Sequence, residues 1–195
     1  FDTAGDARQA ALGTRHLADD EKALAIIGPF SSSEVRTAFP AGERLGITQM
    51  AIASSAPGLA RPFRFAFRNT TDESIVIGNV LDVIADKKLP AATGAAAYAT
   101  DDIVSKSIGT TVLPAQFASH GIALKGTVSF QLAAFDLASQ VSQLTVIHPD
   151  LVGLGTTPDT VLTLAKEMNR QGVQARIIGG TTVAGPQLPA RMAGI

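Results

Sequence analysis

The sequence contains no cysteine and no tryptophan, no strong excess of either charge and no long apolar run. Each absence removes a class of function. Without cysteine there are no disulfides, no thiolate catalysis and no cysteine–zinc sites. The compartment stays open, because many exported bacterial proteins also lack cysteine. With 16 Lys and Arg against 17 Asp and Glu, the net charge of −1 gives no basic footprint for nucleic acid. Aromatics make up only 5% of the chain and Trp is absent, which makes a rich base-stacking surface a poor fit. No run of about 18 apolar residues exists, so no segment reads as a membrane-spanning helix. Phe1-Asp2-Thr3-Ala4 is neither an initiator Met nor a signal peptide, so the sequence reads as starting inside a longer or processed chain. What is present is ample for a core: 46% of 195 residues are hydrophobic. That length exceeds one mid-sized domain and is short for two full ones.

The most informative stretch is Ala25-Ile26-Ile27-Gly28-Pro29-Phe30-Ser31-Ser32-Ser33. It reads as an apolar strand, a sharp turn at Gly28-Pro29, and three hydroxyls at the start of a helix. The first N–H groups of a helix lack partners and carry partial positive charge, so they suit an anion such as a carboxylate. The same residues also suit an ordinary serine N-cap.

Around this stretch, strands and helices alternate. Helices are expected over 6–19, 32–45 (kinked or interrupted at Pro40, closed by Gly46) and 73–86. The last of these has Ile75, Val76, Val80, Leu81 and Ile84 as its core side. Strands are expected over 23–27, apolar throughout as if covered on both faces, and over 48–53 and 64–67. From Ala92 the pattern starts afresh: strands over 92–99, 122–130 (interrupted at Gly126), 151–155 and 175–179, and helices from the Thr100-Asp101-Asp102 cap to His120, over 135–144 and over 158–171. Such alternation implies βαβ units and parallel sheets. The break near 89–94 divides the chain into residues 1–89, a partial N-terminal lobe, and 90–195, most of a C-terminal lobe.

Several segments, in this order, resemble the type I periplasmic binding proteins, in particular the branched-chain amino acid (Leu/Ile/Val-type) substrate-binding family of ABC transporters. Ala25 through Ser32 is similar to that family's first ligand loop, and Gly46-Ile47 through Ala53-Ser54-Ser55-Ala56-Pro57-Gly58-Leu59 to its second. Phe67-Arg68-Asn69-Thr70-Thr71-Asp72 resembles the segment before its long helix. Phe135-Asp136-Leu137 and His148-Pro149-Asp150 resemble signatures of its second domain. The resemblance implies an α/β fold of two doubly wound parallel-sheet domains, with ligand held between them. Measured against it, the chain reads as truncated at both ends.

The resemblance also implies site residues. Ser32 falls on the hydroxyl that holds the ligand carboxylate, with Phe30 and Ser31 beside it. Ala53 and Ser55 fall on the carbonyl and hydroxyl of the second loop, with Ser54 between them. Ile103 and Thr156 (or Thr157) take positions that carry aromatics in the family. Thr181 takes the place of an acid that pairs with the ligand ammonium. Threonine supplies no formal charge, and a buried ammonium without a counter-charge is costly. An aromatic or aliphatic acid without an α-amino group is therefore at least as well served as an amino acid. Asp101 or Asp102 could substitute for the missing charge, but both also suit a helix start, and Arg68 and Asp72 suit a structural role.

The function this implies is delivery of a small carboxylate or amino acid ligand to the membrane subunits of an ABC importer, in the periplasm or, in a Gram-positive cell, outside a lipid anchor. A ligand-sensing domain of a receptor or regulator would use the same chemistry. An enzyme is a weaker alternative. Gly153-Leu154-Gly155-Thr156-Thr157-Pro158 lacks the third glycine of a dinucleotide loop. His16, His120 and His148 have no metal-like spacing, and no serine sits in a Gly-x-Ser-x-Gly elbow. No cofactor and no nucleic-acid partner are expected.

Overall fold

Three short parallel strands organise the first part of the chain. The computed structural model describes residues 1–185 and 187–195, and its internal contacts form two units, Phe1–Asp72 and Glu73–Ile195. In the first, α1 (Ala7–Arg15) starts where the Asp6 carboxylate accepts the N–H groups of Arg8 and Gln9 at 2.7 and 2.9 Å. It continues into a π-helical turn, His16–Asp20. Then come β1 (Ala25–Ile27), α2 (Ser32–Leu45), β2 (Thr48–Ala51) and β3 (Ala66–Arg68), with sheet order β1-β2-β3, all parallel. Two expectations change here. Among the described residues β1 is an edge strand with one covered face: Ile26 is buried, whereas Ile27 is 81% exposed. And α2 runs through Pro40 as one helix, so of the kink or interruption expected there the interruption does not occur. Ala38, Phe39 and Ala41 around it are all buried, and their burial outweighs the single hydrogen bond that proline removes. Gly46, at φ 67°, closes α2 in the left-handed region.

The second unit begins with α3 (Glu73–Asp86). It goes on through β4 (Thr93–Ala99), α4 (Ile103–Ser107), α5 (Leu113–Ser119), β5 (Ala123–Phe130), α6 (Ala138–Ile147), β6 (Leu151–Gly155), α7 (Pro158–Arg170), β7 (Arg176–Gly179) and α8 (Leu188–Met192). The sheet order is β5-β4-β6-β7, all parallel. Side chains alternate across a strand, and β4 divides the core accordingly. Ala95, Ala97 and Ala99 pack with Val141, Leu144 and Leu164 of α6 and α7. Ala96 packs with Ile77, Leu81, Leu113 and Phe117 of α3 and α5. Helices thus cover both faces, which is the doubly wound arrangement expected.

The helical run 103–119, with a π-helical turn at Ile108–Val112, lies close on this sheet. A Cβ at Gly153 would overlap Leu113, and one at Gly155 would overlap the Ser105 carbonyl. At the opposite edge, the Asp150 carboxylate accepts the N–H and hydroxyl of Thr93 at 2.8 and 3.0 Å. These bonds lower the Asp150 pKa, the backbone one most, and they lock β4 against the start of β6.

Other departures are local. On α3 the buried aliphatics are Ile77, Leu81 and Ile84, while Ile75 is 55% exposed. The helix expected at 135–144 forms three residues later, leaving Phe135 99% exposed. The Gly126 interruption appears as a register shift: Gly94 pairs with Leu124 and Ala95 with Gly126. The division of the chain also differs from a boundary at 89/90, because α3 packs into the core of the second unit.

Candidate functional site

In the first unit, β1 and β2 end side by side and deliver the loops 28–33 and 52–58 to one sheet edge, where open α/β folds bind ligands. Side-chain hydrogen bonds stitch the loops together. Ser54 Oγ donates to the Phe30 carbonyl at 2.9 Å, and the Ala56 N–H donates to Ser32 Oγ at 3.4 Å. Ser32, Ser54 and Ser55 are buried, Ala53 is half-buried, and Phe30 is 67% exposed. The second loop is held from behind. Arg68 Nη1 donates to the Ala56 carbonyl at 2.7 Å, Arg68 Nη2 pairs with Asp72 Oδ2 at 2.6 Å, and the Gly58 N–H donates to the same oxygen at 3.0 Å. Thr70 Oγ1 donates to the Ser54 carbonyl at 2.9 Å. Arg68 and Asp72 therefore have the structural role the sequence suggested.

Ser31 is committed to the helix. It is the N-cap of α2 in a capping box with Glu34: its N–H and hydroxyl donate to Glu34 Oε2 at 3.0 and 2.6 Å, while its Oγ accepts the Glu34 N–H at 3.3 Å. The Thr3 hydroxyl donates to Glu34 Oε1. Burial opposes ionisation of Glu34, which is 3% exposed. The hydrogen bonds from the Ser31 hydroxyl, the Thr3 hydroxyl and the Ser31 N–H outweigh it and hold the carboxyl below the usual glutamate range. The α2 N-terminus thus already carries a negative charge from its own chain. A cavity of about 510 Å³ adjoins this loop, lined by Phe1, Ile26, Ile27, Phe30, Ser31 and Glu34 among others.

In the second unit, the predicted residues sit at the ends of adjacent strands. Ile103, 41% exposed, opens α4 after β4. Asp102 caps that helix through the Ser105 N–H at 2.7 Å, and Asp101 accepts the Leu132 N–H at 3.0 Å, so both acids serve local structure. Thr156, after β6, is fully buried and its hydroxyl has no hydrogen-bond partner among the described residues.

Thr181, after β7, holds the residue that sequence reasoning missed. Its N–H donates to Glu73 Oε2 at 3.1 Å and its hydroxyl to Glu73 Oε1. Glu73 is fully buried, and a Cβ at Gly180 would overlap its carboxylate. The first residue of α3 thus brings a carboxyl group beside position 181. Nothing in the sequence links residues 73 and 181; an acid opening a helix reads only as a favourable charge at the helix N-terminus. Among the described residues no cluster of His, Asp and Glu suits a metal ion.

Two units with all-parallel sheets and loops gathered at the strand ends define an open-sheet α/β protein. The chain belongs to the periplasmic binding protein family, whose model matches residues 1–194. Solved structures agree on the fold. A leucine-binding protein of Thermotoga maritima aligns with 99% of this chain and 54% of its own, at 21% identity and TM-score 0.80. A branched-chain amino acid transporter substrate-binding protein of Streptococcus pneumoniae, in complex with isoleucine, aligns with 98% of this chain and 54% of its own, at 17% identity and TM-score 0.74. A solute-binding protein of an ABC transporter from Rhodopseudomonas palustris, in complex with 3,4-dihydroxybenzoic acid, aligns with 94% and 50%, at 14% identity and TM-score 0.74. The chain thus spans about half the length of these relatives. A search of curated proteins gives no significant match.

Proposed function

We propose that this chain is part of an extracytoplasmic solute-binding protein that delivers a small carboxylate-bearing ligand to the membrane subunits of an ABC importer by hinge closure. The observation that carries this reading is the stitching of the loops 28–33 and 52–58 at one sheet edge through Ser32 and Ser54. In this reading Ser32 and the second-loop residues Ala53 and Ser55 hold the carboxylate, with Phe30 against the apolar part of the ligand. Ile103 and Thr156 serve from the second unit, while Thr181, whose N–H and hydroxyl are committed to Glu73, shapes its loop. Ser31 shapes the loop rather than touching the ligand, because its donors are committed to Glu34. The location agrees with the family and with the lack of any helix, among the described residues, long and apolar enough to cross a membrane.

Glu73 changes the balance between ligand classes. A missing charge beside Thr181 would disfavour an ammonium-bearing ligand, but a carboxyl group is present there. An amino acid is therefore as well supported as an amine-free acid. Thermal denaturation of the intact protein with branched-chain amino acids, amides and aromatic or aliphatic carboxylates tests both levels, because a ligand of the native state raises the melting temperature. A shift with amino acids assigns an ammonium-bearing ligand; a shift only with amine-free acids returns to the neutral reading of Thr181. No shift with any carboxylate removes the carboxylate reading.

A further inference from the structure

The boundary between the two units falls at the peptide bond between Asp72 and Glu73, and the carboxylates on either side of it bind different loops. Asp72 Oδ2 takes the Gly58 N–H at 3.0 Å and Arg68 Nη2 at 2.6 Å, and the same guanidinium holds the Ala56 carbonyl. Glu73 takes the N–H and hydroxyl of Thr181, in a seat that only a glycine at 180 leaves open. Asp72 thus fixes the second loop of the first unit, and Glu73 fixes the loop after β7 in the second. No Lys, Arg or His among the described residues forms an ion pair with Glu73. Its carboxylate is held by the Thr181 donors alone among the hydrogen bonds described, and both belong to one loop.

We infer that Asp72 and Glu73 are paired positioning residues, which tie one candidate ligand loop of each unit to a common covalent joint, so that any turn of the backbone at 72–73 carries both loops with it. Calling these loops ligand loops rests on the proposed function; the anchoring does not, and it is tested without ligand.

Amide hydrogen exchange on the intact protein reads each anchor. Removing one hydrogen bond to a charged group opens a loop by about ten- to hundredfold in exchange rate. Asp72→Asn is expected to speed exchange by that amount in residues 54–58 and leave 179–183 unchanged. Glu73→Gln is expected to do the converse. Gly180→Ala, which evicts the Glu73 carboxylate without altering it, should reproduce the Glu73→Gln pattern. The absence of cysteine allows a second readout, one that loop stability alone would not move. Spin labels at Arg36→Cys and Lys166→Cys, both exposed, report the distance distribution between the units, which should broaden in Asp72→Asn and in Glu73→Gln. The inference is overturned by a variant that loosens both loops or neither, by Gly180→Ala departing from Glu73→Gln, or by an unchanged distribution width.

Discussion

Replacing Glu34 with Gln should destabilise the protein at neutral pH and matter less in acid. The carboxylate is 3% exposed and gathers donors from the Ser31 N–H, the Ser31 hydroxyl and the Thr3 hydroxyl. A glutamine amide offers one acceptor oxygen and sets N–H donors against the remaining donors. Charged hydrogen bonds of this kind contribute roughly 1.5–3 kcal/mol each, and rotation of the serine and threonine hydroxyls recovers part of the loss, so a net cost of about 2–4 kcal/mol follows. The pH dependence has a definite sign. Glu34 has its folded-state pKa below the ordinary value of 4.5. Its contribution is complete above that value and declines as pH falls through it toward the lower folded pKa. Glutamine has no such dependence. Urea denaturation followed by circular dichroism, at a series of pH values from about 7 down to about 3, gives the difference in unfolding free energy between parent and variant. Other acid-sensitive groups such as Asp150 and Glu167 are common to both proteins and cancel in that difference. The gap should be widest at neutral pH and narrow below pH 4.5. A gap that stays constant over the whole range would refute the assignment of an ionised, hydrogen-bonded Glu34.

Ser31→Ala should cost about 1 kcal/mol of stability through the lost N-cap while leaving the affinity for a ligand found by the melting screen unchanged. Ser32→Ala should weaken that affinity by roughly 1.5–3 kcal/mol, measured by calorimetric titration, and unchanged affinity would remove Ser32 from the site. Thr156→Val, which removes a buried hydroxyl without a hydrogen-bond partner among the described residues, should raise the stability of the ligand-free protein by about 1 kcal/mol in thermal unfolding; a loss would mean that the hydroxyl is satisfied. Gly153→Ala should destabilise by about 1–3 kcal/mol in chemical denaturation, because its new methyl overlaps Leu113.

Sequence pattern reached the repeating architecture because apolar runs, caps and glycine stops agree with one another over most of the chain. The bounds of α3 and β6 were legible in this way: one is preceded by a polar segment and stopped before Leu89-Pro90, the other is a short apolar run set between Pro149-Asp150 and Thr156-Thr157-Pro158. Periodicity was less able to say which face of an element is covered. Ala25–Ile27 reads as fully buried because every residue is apolar, yet exposure depends on whether a neighbouring strand is present, and among the described residues β1 is an edge. In the same way α3 was assigned to the first lobe by its place before a composition break, while Ile77, Leu81 and Ile84 pack with residues 96–122. At the site, the hydroxyl-rich loops were legible because their residues are contiguous. The Ser31–Glu34 capping box has a sequence signature and was open to being read. The Glu73–Thr181 contact has none, because it arises only when the chain returns to the start of α3 after 108 residues.

The empty positions on β6 have an effect well away from the core. Because Gly153 and Gly155 present no side chains, the helical run above them settles directly on the sheet, and Leu113 and the Ser105 carbonyl come to rest where a methyl group would otherwise stand. That run begins at Ile103, one of the residues proposed to meet the ligand. The height of Ile103 above the strand ends is therefore set from below, by atoms that are missing from the floor. A single added carbon at 153 or 155 would lift or tilt the run and re-aim its first residue, altering what the unit can hold without touching any loop.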